Sequence, residues 1–284
     1  MRATKFAYSS ARLRTLESKL LGNMDVERML GANDAKEAYK ILNDLDYANH
    51  IGDIEKIEDF QEVIDAGLVD TQNLLIRISP DPRVTDILFL SYDFHNLKTL
   101  LKAKLAGKSG EEARKQTVQL GRVELERLEK FLETGSSNEL KLPESYAKKF
   151  QEAVIEGKNA YDKNGEDPRF LDLTIDRILF ELLIMIAEST KHPFLKNFVM
   201  RWIDLNNLKA TLRIKFLKQE EAFLEKNRIL DVVIPGGTIK IDRFERILKA
   251  DMNHVTEQLL GTDYRDIVQK GIEAFEKTGS FAIL

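Results

Sequence analysis

The sequence predicts an all-α protein built from repeated helical bundles, and three observations lead to this fold class. Residues 82–105 and 193–216 match one another without a gap, and residues 121–132 and 237–248 form a second ungapped pair. Apolar residues recur at helical spacing, whereas β-branched runs are confined to residues 232–241, where they are short and flank a turn. Two matched pairs in the same order indicate an internal repeat of a helical unit.

The N-terminal segment contains two predicted helices. Residues 5–21 have apolar residues at helical spacing and contain neither Pro nor Gly, and Gly22 ends this pattern. Residues 34–48 form the second predicted helix, with Asn33 or Asp34 as its N-cap.

A turn at Gly52 and Asp53 precedes the next predicted helix. Residues 54–78 are largely helical in pattern, with or without an interruption at Gly67. Residues 79–82 (Ser-Pro-Asp-Pro) then break the helix, because a residue before proline avoids helical backbone angles.

Residues 82–105 and 193–216 are each predicted to form one long helix. Pro82 and Pro193 suit the first helical position, where the N–H that proline lacks would have no partner within the helix. Strong helix formers fill the interior of both copies, which contain no glycine. At about 100° per residue, one face of each helix combines polar and apolar groups. These are Asp93, Asn96, Leu97, Leu100 and Lys104 in the first helix and Asp204, Asn207, Leu208, Thr211 and Lys215 in the second.

The second matched pair predicts the remaining elements. Each copy reads as a short segment, a helix, a loop and a further helix that begins near a tyrosine. Residues 107–110 form a linker, and residues 232–237 form a tight connection whose glycines permit backbone angles that other residues avoid. Four more helices are predicted, over residues 145–162, 170–189, 241–250 and 263–277.

The internal repeat predicts that the chain is divided into four segments. Residues 1–22 are an N-terminal helix, residues 23–110 the first helical repeat and residues 111–230 the second. Residues 231–284 are a partial third repeat, because the spacing of the two long helices would place a third one beyond Leu284.

The carboxylate and amide that recur on the long helices allow two interpretations. They are either a polar pair in a functional site or a buried connection to a neighbouring helix, such as a cap on its end. A catalytic pair has no need to recur in both halves, which favours the connection. The repeated motif comprises Asp93, Asn96, Leu97, Lys98, Asp204, Asn207, Leu208 and Lys209.

The opposite faces of the long helices are basic. Lys98 and Lys102 lie on the first helix, and Lys209 and Arg213 occupy the matching positions on the second. These four residues are the best candidates for an interface with an acidic partner, and the alternative is a solvated surface.

Several classes of protein are excluded by what the sequence contains. The chain has 284 residues, no cysteine and no phosphate-binding glycine loop, so thiolate metal sites and a P-loop nucleotide site are ruled out. Its four histidines are scattered without metal-ligand spacing. The net charge of −4 argues against a dedicated nucleic-acid binder. No signal peptide and no run long enough for a membrane span are present, so any membrane association is expected to be indirect.

Three features together resemble one protein family. They are the repeated Asp-x-x-Asn-Leu-Lys-x-x-Leu-[Lys/Arg]-x-Lys helix, the Ile-Pro-Gly-Gly turn at residues 234–237 and the Tyr-Ser-Ser-Ala-Arg-Leu-Arg opening at residues 8–14. The whole chain resembles the C subunit of the archaeal and bacterial A/V-type rotary ATPases, called the d subunit in the vacuolar enzymes. It departs from the family pattern in lacking the last long helix of the third repeat.

The resemblance implies a non-catalytic central-stalk protein with no cofactor and no metal. Family members are funnel-shaped, with three pseudo-symmetric helical bundles. They sit on the cytoplasmic side of the membrane rotor ring, which consists of c/K subunits, and receive the foot of the stalk formed by the D and F subunits. They transmit torque for ATP-coupled transport of H⁺ or Na⁺ and for ATP synthesis. On this basis, Lys98, Lys102, Lys209 and Arg213 are expected to face the stalk.

The residues by themselves support two other functions. The first is an α-helical repeat scaffold that binds partner helices in another complex. The second is an enzyme with a carboxylate site in a bundle core, which would need more than one acid on facing helices, and the sequence does not show such a pair.

Overall fold

The computed structural model describes residues 3–43, 60–216 and 232–280, and within these ranges the chain is helical and contains no strand. The predicted all-α fold class is confirmed. The described α-helices are α1 (Ala7–Glu17), α2 (Asn23–Leu30), α3 (Ala35–Asn43), α4 (Phe60–Ile78), α5 (Pro82–Leu105), α6 (Gly110–Arg114), α7 (Leu125–Thr134), α8 (Glu144–Lys163), α9 (Pro168–Ser189), α10 (Pro193–Phe216), α11 (Ile241–Lys249) and α12 (Arg265–Thr278).

The chain divides into two compact units, unit 1 (Met1–Glu129) and unit 2 (Lys130–Leu284). The predicted division into four segments at residues 22, 110 and 230 stays a prediction. No described helix is both long enough and apolar enough to cross a membrane.

In unit 1, helix α5 begins and ends where its sequence predicts. Pro82 occupies the first turn, and the carboxylate of Asp81 accepts a hydrogen bond from the main-chain N–H of Arg83. This side-chain cap satisfies one of the donors that a helix start leaves unpaired. The buried side of α5 combines apolar residues with buried polar ones. The apolar residues include Ile87, Leu90, Phe94, Leu97 and Leu101, and the polar ones are Thr85, Asp86, Asp93 and Asn96.

The N-terminal helices differ from the prediction at Gly22. The helix expected over residues 5–21 is observed as the shorter α1, which follows a 3-10 turn at Ala3–Phe6 and ends at Glu17. A second helix, α2, begins at Asn23. The N–H of Gly22 donates to the carboxylate of Asp25 at 3.1 Å, which is half of a capping box. Gly22 therefore marks the start of the next helix as well as the end of the pattern before it.

Helices α3 and α4 follow the predicted order. Asp34 is the N-cap of α3, because its side chain accepts from the N–H of Glu37 at 2.8 Å. Helix α4 runs through Gly67 without interruption. The predicted turn at Gly52 and Asp53, and the predicted helical residues 44–48 and 54–59, lie outside the described residues.

In unit 2, helices α8 and α9 form a hairpin whose close contact includes one glycine. Gly157 of α8 faces Ile175 of α9, and a Cβ at that glycine would lie 3.1 Å from Cγ1 of the isoleucine. Lys149 of α8 pairs with Glu181 of α9 at 2.8 Å. Helix α10 packs against α9.

The C-terminal half of α10 packs against the last two helices that the structure describes. The predicted helices over residues 241–250 and 263–277 are observed as α11 and α12. Both contribute to one apolar cluster with α10, which includes Leu208, Leu212, Phe244, Ile247, Val255, Leu259, Val268 and Ile272. Burial of this cluster supplies most of the driving force for their packing.

Candidate functional site

Asp93 of helix α5 binds the main chain that leads into helix α7. Its carboxylate is fully buried, and it accepts from the N–H of Arg122 at 2.8 Å and from the N–H of Val123 at 2.9 Å. These donors lie just before Leu125, where α7 begins. Both oxygens of the Asp93 side chain therefore bind main-chain N–H groups at the N-terminal end of α7.

Asn96 holds the same connection at a second point. Its amide Nδ2 donates to the carbonyl of Val118 at 2.8 Å, and its Oδ1 accepts from the N–H of Val118 at 2.9 Å. One side chain thus pairs both main-chain groups of a single residue. We call Asp93, Asn96 and the main-chain groups that they bind the first clamp.

In unit 2, Asp204 of helix α10 makes the same contacts as Asp93 and accepts two further hydrogen bonds. Oδ1 accepts from the N–H of Ile239 at 3.0 Å, and Oδ2 accepts from the N–H of Thr238 at 3.0 Å. Oδ2 also accepts from the Thr238 hydroxyl and from the phenol of Tyr264 at 2.8 Å. This buried carboxylate therefore has four donors, two of which are side-chain hydroxyls.

Asn207 repeats the second contact. Its Nδ2 donates to the carbonyl of Ile234 and its Oδ1 accepts from the N–H of Ile234, both at 2.8 Å. Asp204, Asn207 and the groups that they bind, including Tyr264, form the second clamp. Each aspartate binds the N–H groups three and two residues before the first residue of the next helix, α7 or α11.

A glycine in each clamp leaves room for the aspartate. A Cβ at Gly121 would overlap Oδ1 of Asp93, and a Cβ at Gly237 would overlap Oδ1 of Asp204. In unit 1, the buried side chain of Gln72 also donates to the carbonyl of Gly121 at 2.6 Å. Close approach to a carboxylate, rather than a special backbone angle, explains the matched glycines.

Lys215 holds the other end of α11. Its ammonium group donates to the carbonyl of Leu248 at 3.0 Å and to the carbonyl of Ala250. These carbonyls lie at the negative end of the helix dipole, where a cation is favourable. Helix α10 therefore binds α11 at its start through Asp204 and at its end through Lys215.

The structure separates the predicted residues into buried and accessible groups. Leu97 and Leu208 are fully buried and contribute to the apolar cores. Lys98 and Lys102 are half-buried in unit 1, whereas Lys209 and Arg213 are exposed in unit 2. The described ranges contain no group of acidic and histidine side chains arranged to hold a metal ion.

Sequence reasoning did not identify Gln72, Thr238 or Tyr264 as members of the clamps. One feature of the sequence indicates Tyr264, because a tyrosine recurs near the start of the later helix in both copies. No feature of the sequence indicates Gln72 or Thr238, since their roles depend on which main chain lies opposite them. The contacts of both clamps are those of a buried connection between helices, with each carboxylate oxygen bound by a donor.

The comparisons with known proteins agree with this architecture. The sequence profile of the ATP synthase (C/AC39) subunit family matches residues 9–282, which is nearly the whole chain. The chain belongs to this family. Members of the family are non-catalytic components of the synthase, so the chain is not an enzyme by itself.

Several archaeal relatives of this C/AC39 protein are C subunits of A-type ATP synthases. The relative from Methanocaldococcus jannaschii is 28% identical over 97% of this chain and 70% of its own length. Those from Desulfurococcus sp. and Thermococcus kodakarensis are 26% and 27% identical over 96% of this chain and 73% of their own lengths. These relatives are thus longer than the chain.

The first clamp makes the stability of this C/AC39 protein depend on pH. Burial raises the pKa of Asp93 from 3.8 to about 7, against the opposing effects of its two main-chain hydrogen bonds and of Arg122. The guanidinium of Arg122 is itself paired with Asp86 at 2.9 Å. Between about pH 4 and pH 7, Asp93 therefore keeps its proton in the native state, whereas the same side chain has released it in the unfolded chain.

We expect the free energy of unfolding to fall as the pH rises from about 4 to about 7, and the Asp93 contribution to level off above that range. The total fall due to Asp93 is at most about 4 kcal/mol. Urea unfolding at a series of pH values checks this, with Asp93→Asn as the variant that lacks the titrating group. The difference between the two proteins should change with pH only in this range, and a constant difference would contradict the prediction.

Proposed function

We propose that this C/AC39 protein is a non-catalytic rotor part that joins the D and F subunits of the central stalk to the membrane rotor ring. In this role it transmits torque for ATP-coupled transport of H⁺ or Na⁺. The observation that supports this proposal is that α10 binds α11 at both ends, at its start through Asp204 and at its end through Lys215. A shaft adaptor must resist bending, and helices held at both ends over a close-packed core deform little under load.

The repeated clamp supports the proposed repetition of one helical unit along the chain. In this proposal, residues 23–110 and 111–230 are the first two bundles and residues 231–284 are part of a third. The protein then lies on the cytoplasmic side of the membrane and reaches it only through the rotor ring.

The basic pair on α10 is the proposed contact with the stalk. Lys209 and Arg213 are exposed and lie one turn apart on the helix that holds α11. Lys98 and Lys102 occupy the matching positions on α5 and are half-buried there. We place all four residues on the stalk-facing surface, with the two exposed residues supplying most of the electrostatic attraction to acidic groups of the stalk.

Charge reversal at Lys209 and Arg213 tests this contact. The double variant Lys209→Glu/Arg213→Glu should bind the purified D–F complex about tenfold more weakly, because two attractive pairs become repulsive. The salt dependence of binding should also become shallower. Binding is measured by calorimetry at several salt concentrations, with light scattering to establish the stoichiometry.

The control variant makes the same change of charge elsewhere in unit 2. Arg177→Glu/Lys270→Glu reverses one exposed arginine and one exposed lysine on α9 and α12. It should bind like the unmodified protein. Equal binding by both double variants would refute the stalk contact at this surface. No binding by the unmodified protein would favour a helical scaffold in another complex.

A further inference from the structure

One exposed side of helix α10 is aromatic in its first half and basic in its second half. Phe198 is 38% exposed and Trp202 is half-buried, whereas Lys209 and Arg213 are exposed. At about 100° per residue, these four residues lie within about 60° of one another around the helix. They therefore form one row along α10, which we call the α10 stripe.

The aromatic half of the stripe is held in place by neighbouring rings. Trp202 packs edge to face against Phe180 of α9, with ring centroids 5.6 Å apart, and its ring lies 5.9 Å from that of Phe198. Because Phe180 is buried, this contact fixes the indole at the surface of unit 2. Two aromatic rings fixed at a surface can attract cations to their faces.

The two cations of the stripe have no acidic residue beside them on α10. The one acidic residue of this helix is Asp204, which is buried in the second clamp. The helix has five basic residues, and the three outside the stripe bind groups within unit 2. Lys209 and Arg213 therefore carry the positive charge that α10 presents along this row.

The order of the groups along the stripe is self-complementary. Trp202 and Lys209 lie equally far from the midpoint between residues 205 and 206, and so do Phe198 and Arg213. An interface with twofold symmetry needs such a surface, since the same patch must fit itself. In an antiparallel pair of α10 helices centred on this midpoint, each ring lies opposite a cation of the other copy.

We propose that two copies of this C/AC39 protein associate through the α10 stripe, as an antiparallel pair with twofold symmetry. Trp202 of each copy would meet Lys209 of the other, and Phe198 of each copy would meet Arg213 of the other. This pairing does not depend on the proposed stalk contact. It would cover Lys209 and Arg213, however, so self-association and stalk binding through these residues would exclude one another.

The order of the groups favours this arrangement over two alternatives. A parallel pair would bring the two basic halves together, and like charges suppress such a contact. In the antiparallel pair, the two copies of Lys209 lie about 10 Å apart along the helices, beyond the screening length of about 8 Å in physiological salt. An acidic helix of another protein would match the basic half but would bring carboxylates to the negative faces of the rings.

Unit 1 does not present the same surface. The residues of α5 that match Phe198 and Trp202 are Ile87, which is fully buried, and Ser91, which has no ring. The two matching lysines are half-buried. The α10 stripe is therefore specific to unit 2 and is not a consequence of the internal repeat.

Sedimentation equilibrium of the full chain between about 1 and 300 µM tests the proposal. A contact between two helices is small, so we expect a monomer and a dimer in equilibrium, with a Kd of about 10–100 µM. Lys209→Glu should weaken the dimer at least about tenfold, because each dimer loses two cation–π contacts. Lys270→Glu makes the same change at an exposed position of α12, outside the stripe, and should leave the Kd within about twofold.

Two substitutions of Phe198 test the register of the pair. Phe198→Glu and Phe198→Arg both remove the ring and place a charge opposite Arg213 of the other copy. The glutamate variant should keep the dimer, because an ion pair replaces the cation–π contact. The arginine variant should weaken it at least about tenfold, because two like charges then face one another.

Three results would overturn the proposal. The first is a chain that stays monomeric over the whole range of concentration, and the second is equal association of the two Phe198 variants. The third is equal association of Lys209→Glu and Lys270→Glu, because the dimer would then form through another surface. Circular dichroism of each variant establishes that the chain remains folded.

Discussion

Asp204→Ala is expected to lower the free energy of unfolding of unit 2 by about 3–5 kcal/mol. The carboxylate accepts from four donors, and alanine would leave two main-chain N–H groups and two hydroxyls without it. Because the site is buried, water replaces these hydrogen bonds only if the clamp opens. The start of α11 also loses a negative charge at its positive end.

Urea unfolding monitored by circular dichroism measures the effect of Asp204→Ala, with Asp263→Ala as the control. Asp263 is an exposed aspartate of the same unit and pairs with Arg201 at 2.7 Å. An exposed ion pair contributes little, so the control should lose no more than about 1 kcal/mol. Similar losses in the two variants would mean that the second clamp does not stabilise the unit.

Tyr264→Phe separates one donor from the rest of the clamp. The change removes the hydroxyl group that donates to Asp204 and keeps the aromatic ring in place. We therefore expect the free energy of unfolding to fall by about 1–2 kcal/mol. The same bond links α12 to α10 through the second clamp. Burial, together with the hydrogen bond to Asp204, raises the pKa of Tyr264 to about 12, so the phenol keeps its proton at neutral pH.

Gly237→Ala is expected to destabilise unit 2 by about 3 kcal/mol. The added methyl group would occupy the space of the Asp204 carboxylate and would also press on Ile203. The carboxylate has no free direction in which to move, because both of its oxygens are bound by donors. The main chain at residues 237–239 must therefore shift and lose hydrogen bonds.

Gly67→Ala is a control with the opposite expected sign. Gly67 lies within α4, and apart from the adjacent residues and the backbone of its own helix, a Cβ there would meet no described atom within 4 Å. Alanine is a better helix former than glycine, so this variant should gain up to about 1 kcal/mol. A gain at both glycines would show that the space beside Asp204 adapts to a methyl group.

A double-mutant cycle connects the predictions for Asp204→Ala and Gly237→Ala. If the methyl group of Gly237→Ala acts through the Asp204 carboxylate, the double variant Gly237→Ala/Asp204→Ala should lose less stability than the sum of the single losses. Strict additivity would mean that the glycine is needed for another reason.

Several features of this C/AC39 protein were predictable because they depend on local interactions. Pro82 and Asp81 determine the start of α5 through a backbone angle and a side-chain cap within two residues. Asp34 determines the start of α3 in the same way. The start of α2 is not predicted, because Gly22 also ends the helical pattern before it, and the hydrogen bond from its N–H to Asp25 is visible only in the structure.

By itself, the sequence determined the helical class, the starts of the long helices and the recurrence of an acid and an amide on each of them. These properties depend on residues close together in the chain. Only the tertiary structure decided what the recurring residues bind, because the partners of Asp204 lie more than 30 residues away and reach it only through folding. It also made Lys98 half-buried and Lys209 exposed, since burial depends on the neighbours that surround a residue rather than on its own motif.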